Sequence, residues 1–282
     1  MFVGIISMSL WNISVANTIS NMVNLNAGIF GIIALVSGMI SVVIFALTAL
    51  VLGIPTSETH GLIAGITGSG IALYGLSSIN FLEWKNVIIG LVWSIAGTYF
   101  IAIFINKIFS KISLKEKNIK KAQIVGMCGM SFMHGAQDGQ KFIGVLIIFM
   151  SILKGSNVST TINSFEYIPI ILFTAFLMLI GVSIGGRKIV ENIGENLTKL
   201  TPKQALLTDI TTITSLLTAS ITGLPVSTTH AKTISIIGIG KQENQKLNKT
   251  TIKNVLKAWL YTFPICFIIS YFLTKILCTI IL

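Results

Sequence analysis

Charge is what this sequence has least of. Only 10% of its 282 residues are charged against 53% hydrophobic, and no charged side chain appears before Glu58. A secretory signal would be one short apolar run; here such runs recur to the last residue, so cleavage would leave no soluble protein. The composition therefore describes an integral membrane protein with the lipid bilayer as its solvent and the cell membrane as its expected location. Acids are scarcer than bases, 9 against 20, for a net charge of +11. The lysines are gathered in two short segments between apolar runs, which is how a membrane protein is oriented rather than how nucleic acid is bound. Nucleic acid is thus excluded as a partner. Cysteine is also rare: Cys128, Cys266 and Cys278 lie in apolar surroundings without metal or redox spacing and read as packing residues. No HExxH pattern is present, so a metalloenzyme would rest on the three histidines alone.

What the chain does have is a duplication. Gly223-Leu224-Pro225-Val226-Ser227-Thr228-Thr229-His230 has a near copy 170 positions earlier, Gly53-Ile54-Pro55-Thr56-Ser57-Glu58-Thr59-His60. Both copies stand between long apolar runs, where a Gly-Pro break interrupts what would otherwise be a membrane helix. Irregular backbone at membrane depth is tolerated only where it is buried in protein or lines a wet cavity. Two such breaks at corresponding positions of two repeats point to a transporter's binding site.

Taken in order, residues 1 to 23 form a candidate span carrying Asn12, Asn17 and Asn21, which face protein rather than lipid. The run 28 to 52, the first tip (53 to 60) and a second arm, 61 to 76, follow. That second arm, about 16 residues or roughly 24 Å of helix, is short of a hydrocarbon core of ~30 Å, so a re-entrant hairpin is expected. Residues 86 to 106 read as a span. Lys107, Lys111, Lys115, Lys117, Lys120 and Lys121 then mark 107 to 121 as a basic cytoplasmic linker. In the run 122 to 153 a polar patch at 134 to 141 predicts a broken helix. The loop 155 to 166 holds no Lys or Arg and is expected outside. Residues 167 to 186 return, 187 to 203 read as an interfacial amphipathic segment, and the second hairpin has arms at 205 to 222 and 231 to 240 around the tip 223 to 230. A span over 258 to 281 closes the chain.

The expected fold is an all-α integral membrane protein with about five full spans and two re-entrant helical hairpins. The first hairpin leaves into a nearly uncharged loop and the second into a lysine-rich one (Lys241, Lys246, Lys249, Lys253, Lys257), so the two open on opposite sides, as in inverted-topology repeats. The repeats are residues 1–106 and 122–282. The first is read as incomplete, because no counterpart of the broken helix at 134 to 141 precedes its hairpin.

All three histidines, His60, His134 and His230, fall in these polar stretches. Each either fixes a helix break by hydrogen bonding or lines a site. Ser57, Thr59, Ser227, Thr228 and Thr229 stand where a helix N-terminus offers free N–H groups and positive potential, so they either cap their own helices or hold an anion. Asp138 at mid-membrane is either paired with Lys141, three residues on, or binds a coupling cation. Lys232 either faces the second tip or snorkels to the interface.

Ser131-Phe132-Met133-His134-Gly135-Ala136-Gln137-Asp138-Gly139-Gln140-Lys141 resembles the HGANDxQK signature of the inorganic phosphate transporter (PiT) family. The two GxPxSxTH tips, the basic central loop and Gly185-Gly186-Arg187-Lys188-Ile189-Val190 fall in that family's order. The resemblance spans the chain and implies uptake of inorganic phosphate by symport with sodium or protons, or of a metal-phosphate complex, with no cofactor and no enzymatic activity. It implies substrate contacts from Ser57, Thr59, Ser227, Thr228, Thr229 and Gln140, and coupling-ion contacts from Asp138 and Gln137. His60, His134, His230 and Lys141 would line the site. Three positions depart from the pattern: Gln137 replaces Asn, Glu58 replaces a hydroxyl residue, and the first copy of the Asp motif is missing. That last departure leaves open a second reading, a non-transporting or partner-dependent membrane subunit. Assembly of several copies is equally open.

Overall fold

The computed structural model describes residues 1–109, 111–112, 115–155, 162–184 and 197–281. Among them the chain is helical, and no strand occurs beyond one bridge between Val23 and Ile79. In chain order the helices are α1 (Phe2–Trp11), α2 (Ser14–Asn21), α3 (Ile29–Leu52), α4 (Glu58–Tyr74), α5 (Phe81–Val92), α6 (Thr98–Phe109), α7 (Glu116–Lys154), α8 (Ile168–Ile184), α9 (Pro202–Ile221), α10 (Thr228–Gln242) and α11 (Lys249–Ile281). The stretch 185 to 190 of the signature, and most of the expected amphipathic segment 187 to 203, lie outside the described residues.

Six stretches are long and apolar enough to cross a membrane: Ile29–Leu52, Glu58–Ser78, Phe81–Phe109, Lys117–Lys154, Ser164–Ile184 and Lys249–Ile281. The protein is therefore a multi-pass helical membrane protein. Among the described residues the number differs from the expected five because both arms of the first helix pair pass the length test, while the expected span over residues 1 to 23 is a bent pair and does not count as one helix. A 3₁₀ turn, Gly75–Ser78, extends the second arm to 21 residues. Exposure sorts the helices into shells. Leu172, Phe173, Phe176 and Leu177 of α8 and Leu260, Phe272 and Ile276 of α11 are exposed, as lipid-facing side chains are, whereas Ile63 and Ile66 of α4 and Ile143, Ile147 and Ile148 of α7 are fully buried. α4 is the most tightly held, packed against both α3 and α11. A Cβ at Gly65 would stand 2.6 Å from the Gly38 carbonyl oxygen, and one at Gly68 2.5 Å from that of Phe267, so backbones meet directly as small residues permit in membranes.

The two Gly-Pro tips are closed by the same backbone device. Gly53 (φ 65°) and Gly223 (φ 71°) take the left-handed conformation after α3 and α9. Ile54 N–H donates to the Ala49 carbonyl and Leu224 N–H to that of Ala219, both at 2.9 Å. These bonds satisfy the orphan carbonyls of a helix C-terminus. Proline follows, and a serine then caps the next helix.

The helix expected to break at 134 to 141 does not break. α7 runs unbroken for 39 residues through the polar patch. The polar side chains find partners on other elements, so no backbone interruption is needed. Its glycines serve close packing instead: a Cβ at Gly135 would lie 2.3 Å from the Met1 carbonyl oxygen, and one at Gly139 2.6 Å from Ile5 Cγ1. The break occurs in the partner that packs on this face. α1 and α2 meet at 81°, so residues 1 to 23 are a bent pair and not one straight span. The cause is Asn12, whose backbone is extended and whose Oδ1 accepts from Ser14 N–H at 2.9 Å, a short polar side chain outcompeting the helix ladder. A bent helix pair, without an acid, thus precedes the first tip.

Candidate functional site

Four stretches converge: the two tips, the polar patch of α7 and the α1–α2 bend. At their centre the Lys141 ammonium donates to Asp138 Oδ1 at 2.7 Å, to Thr59 Oγ1 at 2.7 Å and to the Val226 carbonyl at 2.6 Å. Lys141 is 2% exposed and Asp138 7% exposed. A buried ion pair is tolerable only with good geometry and further hydrogen bonds on the remaining groups. Both conditions hold, since Asp138 Oδ2 accepts from Thr228 Oγ1 at 3.1 Å and lies 3.1 Å from His134 Nε2. Thr59 Oγ1 in turn donates to the Val226 carbonyl at 3.2 Å, joining the first tip to the second. The expected pair of Asp138 with Lys141 is present, made possible by the intact helix.

The capping reading of the serines also holds. Ser57 Oγ accepts from His60 N–H at 3.2 Å and Ser227 Oγ from His230 N–H at 3.3 Å. A capping serine uses a lone pair and keeps its proton, so both hydroxyls can still donate. Thr229 is half-buried and makes no side-chain hydrogen bond among the described residues. Glu58 replaces the hydroxyl of Thr228 at the matching position. It is exposed to a cavity of about 630 Å³ that also reaches His134, Asp138, Met39, Phe142 and Phe173.

The two glutamines turn elsewhere. Gln140 bridges the α1–α2 bend: its Nε2 donates to the Asn12 carbonyl at 2.9 Å and its Oε1 accepts from Val15 N–H at 3.1 Å. Gln137 Nε2 donates to Ser220 Oγ at 2.9 Å, while its Oε1 is buried without a partner among the described residues. The second tip rests on the bend through Asn12 Nδ2, which donates to the Ile221 carbonyl at 3.2 Å, and Thr18 Oγ1, which donates to that of Gly223 at 2.9 Å.

His60 and His230 meet edge to face, ring centroids 4.5 Å apart, and His230 lies 3.7 Å from the Trp259 ring. Ser94 stands 3.4 Å from His230 Nδ1. Its own proton goes to the Leu91 carbonyl at 2.8 Å, so Nδ1 is the donor in this contact. A π-helical turn, Trp93–Gly97, sets Ser94 in that position. Lys232 pairs with Asp209 on the opposite arm and also donates to Thr208 Oγ1 at 3.1 Å.

Sequence reading passed over Asn12 as a hinge, Thr18, Ser94, Asp209 and Trp259. Asp209 had a signal, being one of only two aspartates in the chain and lying in an otherwise uncharged arm. Ser94 had none, because a π-turn leaves no mark on residue periodicity.

A multi-pass membrane protein with a charged centre enclosed between two helix-turn-helix tips is the class that fold and site define. A family model described as "Phosphate transporter family" matches residues 1–123 and 113–270. The chain is 30% identical over 243 residues to the "probable low-affinity inorganic phosphate transporter" of Bacillus subtilis, covering 83% of this chain and 72% of that one. It is 26% identical over 278 residues to the protein of the same description from Rhizobium meliloti, covering 95% and 81%. The chain belongs to the phosphate transporter family, a family of transporters and not of enzymes. Its fold is shared with a solved structure described as "the sodium-dependent phosphate transporter", with a TM-score of 0.76 at 20% identity over 99% of this chain and 89% of that one.

Proposed function

We propose that this phosphate transporter works as a symporter, carrying inorganic phosphate with sodium or protons through the centre built around Lys141. The observation that supports this reading most is the meeting of both tips on one buried ion pair, Lys141 with Asp138, through Thr59, Val226 and Thr228. Donors suited to a tetrahedral oxyanion come from Ser57, Thr59, Ser227, Thr228 and Thr229 at the starts of α4 and α10, where helix dipoles favour negative charge. Gln140 acts at one remove, by holding the α1–α2 bend on which the second tip rests. Asp138 and the unpartnered Oε1 of Gln137 offer oxygen to the coupling cation. His60, His134 and His230 line or brace the site. A metal-phosphate complex is a substrate form that the cavity reaching Glu58, His134 and Asp138 would accommodate.

In this reading residues 1–106 and 122–282 are inverted repeats joined by the basic segment 107–121, each tip is re-entrant, and rocking of one repeat against the other exposes the site alternately. The test is uptake of radiolabelled phosphate by the chain in liposomes, with sodium and proton gradients imposed in turn. One gradient is expected to drive uptake, and Asp138→Asn to abolish it while the protein still inserts. Undiminished uptake by Asp138→Asn would remove Asp138 from ion coupling.

A further inference from the structure

The centre shows an exact balance of donors and acceptors. The Lys141 ammonium has three protons and three oxygens to receive them, on α7, the first tip and the second tip. The Thr59 proton goes to the Val226 carbonyl, and the Thr228 proton to Asp138 Oδ2. The protons of Lys141, Thr59 and Thr228 are therefore already bonded to protein oxygens, and only the Ser57, Ser227 and Thr229 hydroxyls of the tips still have a proton to give. A phosphate that draws on the ammonium or on these two threonines takes donors away from the Val226 carbonyl and the Asp138 carboxylate. Buried acceptors left bare are penalised, by roughly tenfold or more in binding for each group. The set left behind is a carboxylate, a carbonyl and a hydroxyl oxygen, the ligand types of a small hard cation.

We propose that Lys141 is the exchanger that couples the two solutes: its ammonium turns from the Asp138, Val226 and Thr59 oxygens to the phosphate, and sodium takes the oxygens it leaves. This rests on the symport reading above and extends it. The anion satisfies the donors and the cation the acceptors, so neither alone restores the balance. Each then raises the other's affinity by the same factor, as linkage requires.

The test measures binding of radiolabelled phosphate in sodium chloride and in choline chloride at one pH, and of radioactive sodium with and without phosphate, on the purified full chain. The wild type is expected to show a reciprocal gain of roughly tenfold or more in each direction. Lys141→Gln is expected to bind sodium more tightly than wild type without phosphate, because no ammonium holds the oxygens, and to lose the reciprocal gain. Should that variant not fold, the doubly neutral Asp138→Asn, Lys141→Gln chain cancels the buried charges and is expected to bind phosphate indifferently to sodium. A reciprocal gain that survives in either variant overturns the exchange. So does a wild type that binds phosphate equally in both salts. A wild type that binds no phosphate in either salt refutes the symport reading itself.

Discussion

Gln140 separates a bracing role from a ligand role more sharply than any other side chain. It is fully buried, and both ends of its amide are engaged by the backbone of the α1–α2 bend, at 2.9 and 3.1 Å. Gln140→Leu keeps the volume and removes both bonds, leaving Val15 N–H and the Asn12 carbonyl without partners. At ~1–3 kcal/mol for each buried group, the two together amount to about 4 kcal/mol. With ~2–4 °C lost per kcal/mol for a chain of this order of size, the unfolding midpoint should fall by roughly 8–16 °C. The assay is thermal unfolding in detergent, set beside phosphate uptake. The second tip loses its footing with the bend, through Asn12 on Ile221 and Thr18 on Gly223, so uptake should fall in parallel. A midpoint within ~2 °C of wild type together with a raised KM would refute the reasoning and make Gln140 a substrate ligand.

Other substitutions test the remaining supports. Gly53→Ala and Gly223→Ala both strain a left-handed residue, by ~1–2 kcal/mol, but a Cβ at Gly223 would also lie 3.0 Å from Ser14 Cβ, so the second should lower the unfolding midpoint more. Trp259→Phe removes a buried indole N–H that has no acceptor among the described residues and should leave stability unchanged or raise it. Ser94→Ala, which takes the partner from His230 Nδ1, should lower stability by ~1–2 kcal/mol in the same denaturation assay. Asp209→Ala frees a lysine whose side chain is already 32% exposed, so its loss, ~1–2 kcal/mol, should fall between that of a surface pair and a buried one.

Much of this was legible because the chain writes its tips twice. Gly-x-Pro followed by Ser and, three residues after the Ser, His carries its own geometry: a left-handed glycine, a stop, a cap. The structure repeats each bond of that device at 53 to 60 and 223 to 230. Apolar runs gave the membrane helices for the same reason, since hydrocarbon admits few alternatives. The misreadings came from contacts between segments distant in sequence. A glycine-flanked polar patch looks like a break when its partners are unknown, yet Gly135 and Gly139 pack on α1 and the helix continues. The bend at Asn12 needs Gln140, 128 residues away, to satisfy both sides of it, and no local pattern announces that. Lys232 and Asp209 were each visible, and their pairing was not.

The symmetry fails in one place that bears on charge. Asp138 and Lys141 sum to zero, so the buried pair itself is neutral. Glu58 stands where the second tip has Thr228, lines the cavity that reaches Asp138, and has no hydrogen bond or ion pair among the described residues. An ionised Glu58 would therefore add a negative charge beside the proposed anion site. Two like charges ~4 Å apart repel by about 4 kcal/mol at an effective dielectric constant of 20, so in the symport reading such a charge favours a companion cation when phosphate is bound. Glu58→Thr restores the hydroxyl of the other tip and removes that charge. Phosphate flux and current measured together on proteoliposomes should then show one fewer positive charge carried per phosphate than in wild type, with flux retained. An unchanged ratio would mean that Glu58 carries no charge during transport and that its carboxyl enters the cycle already neutral.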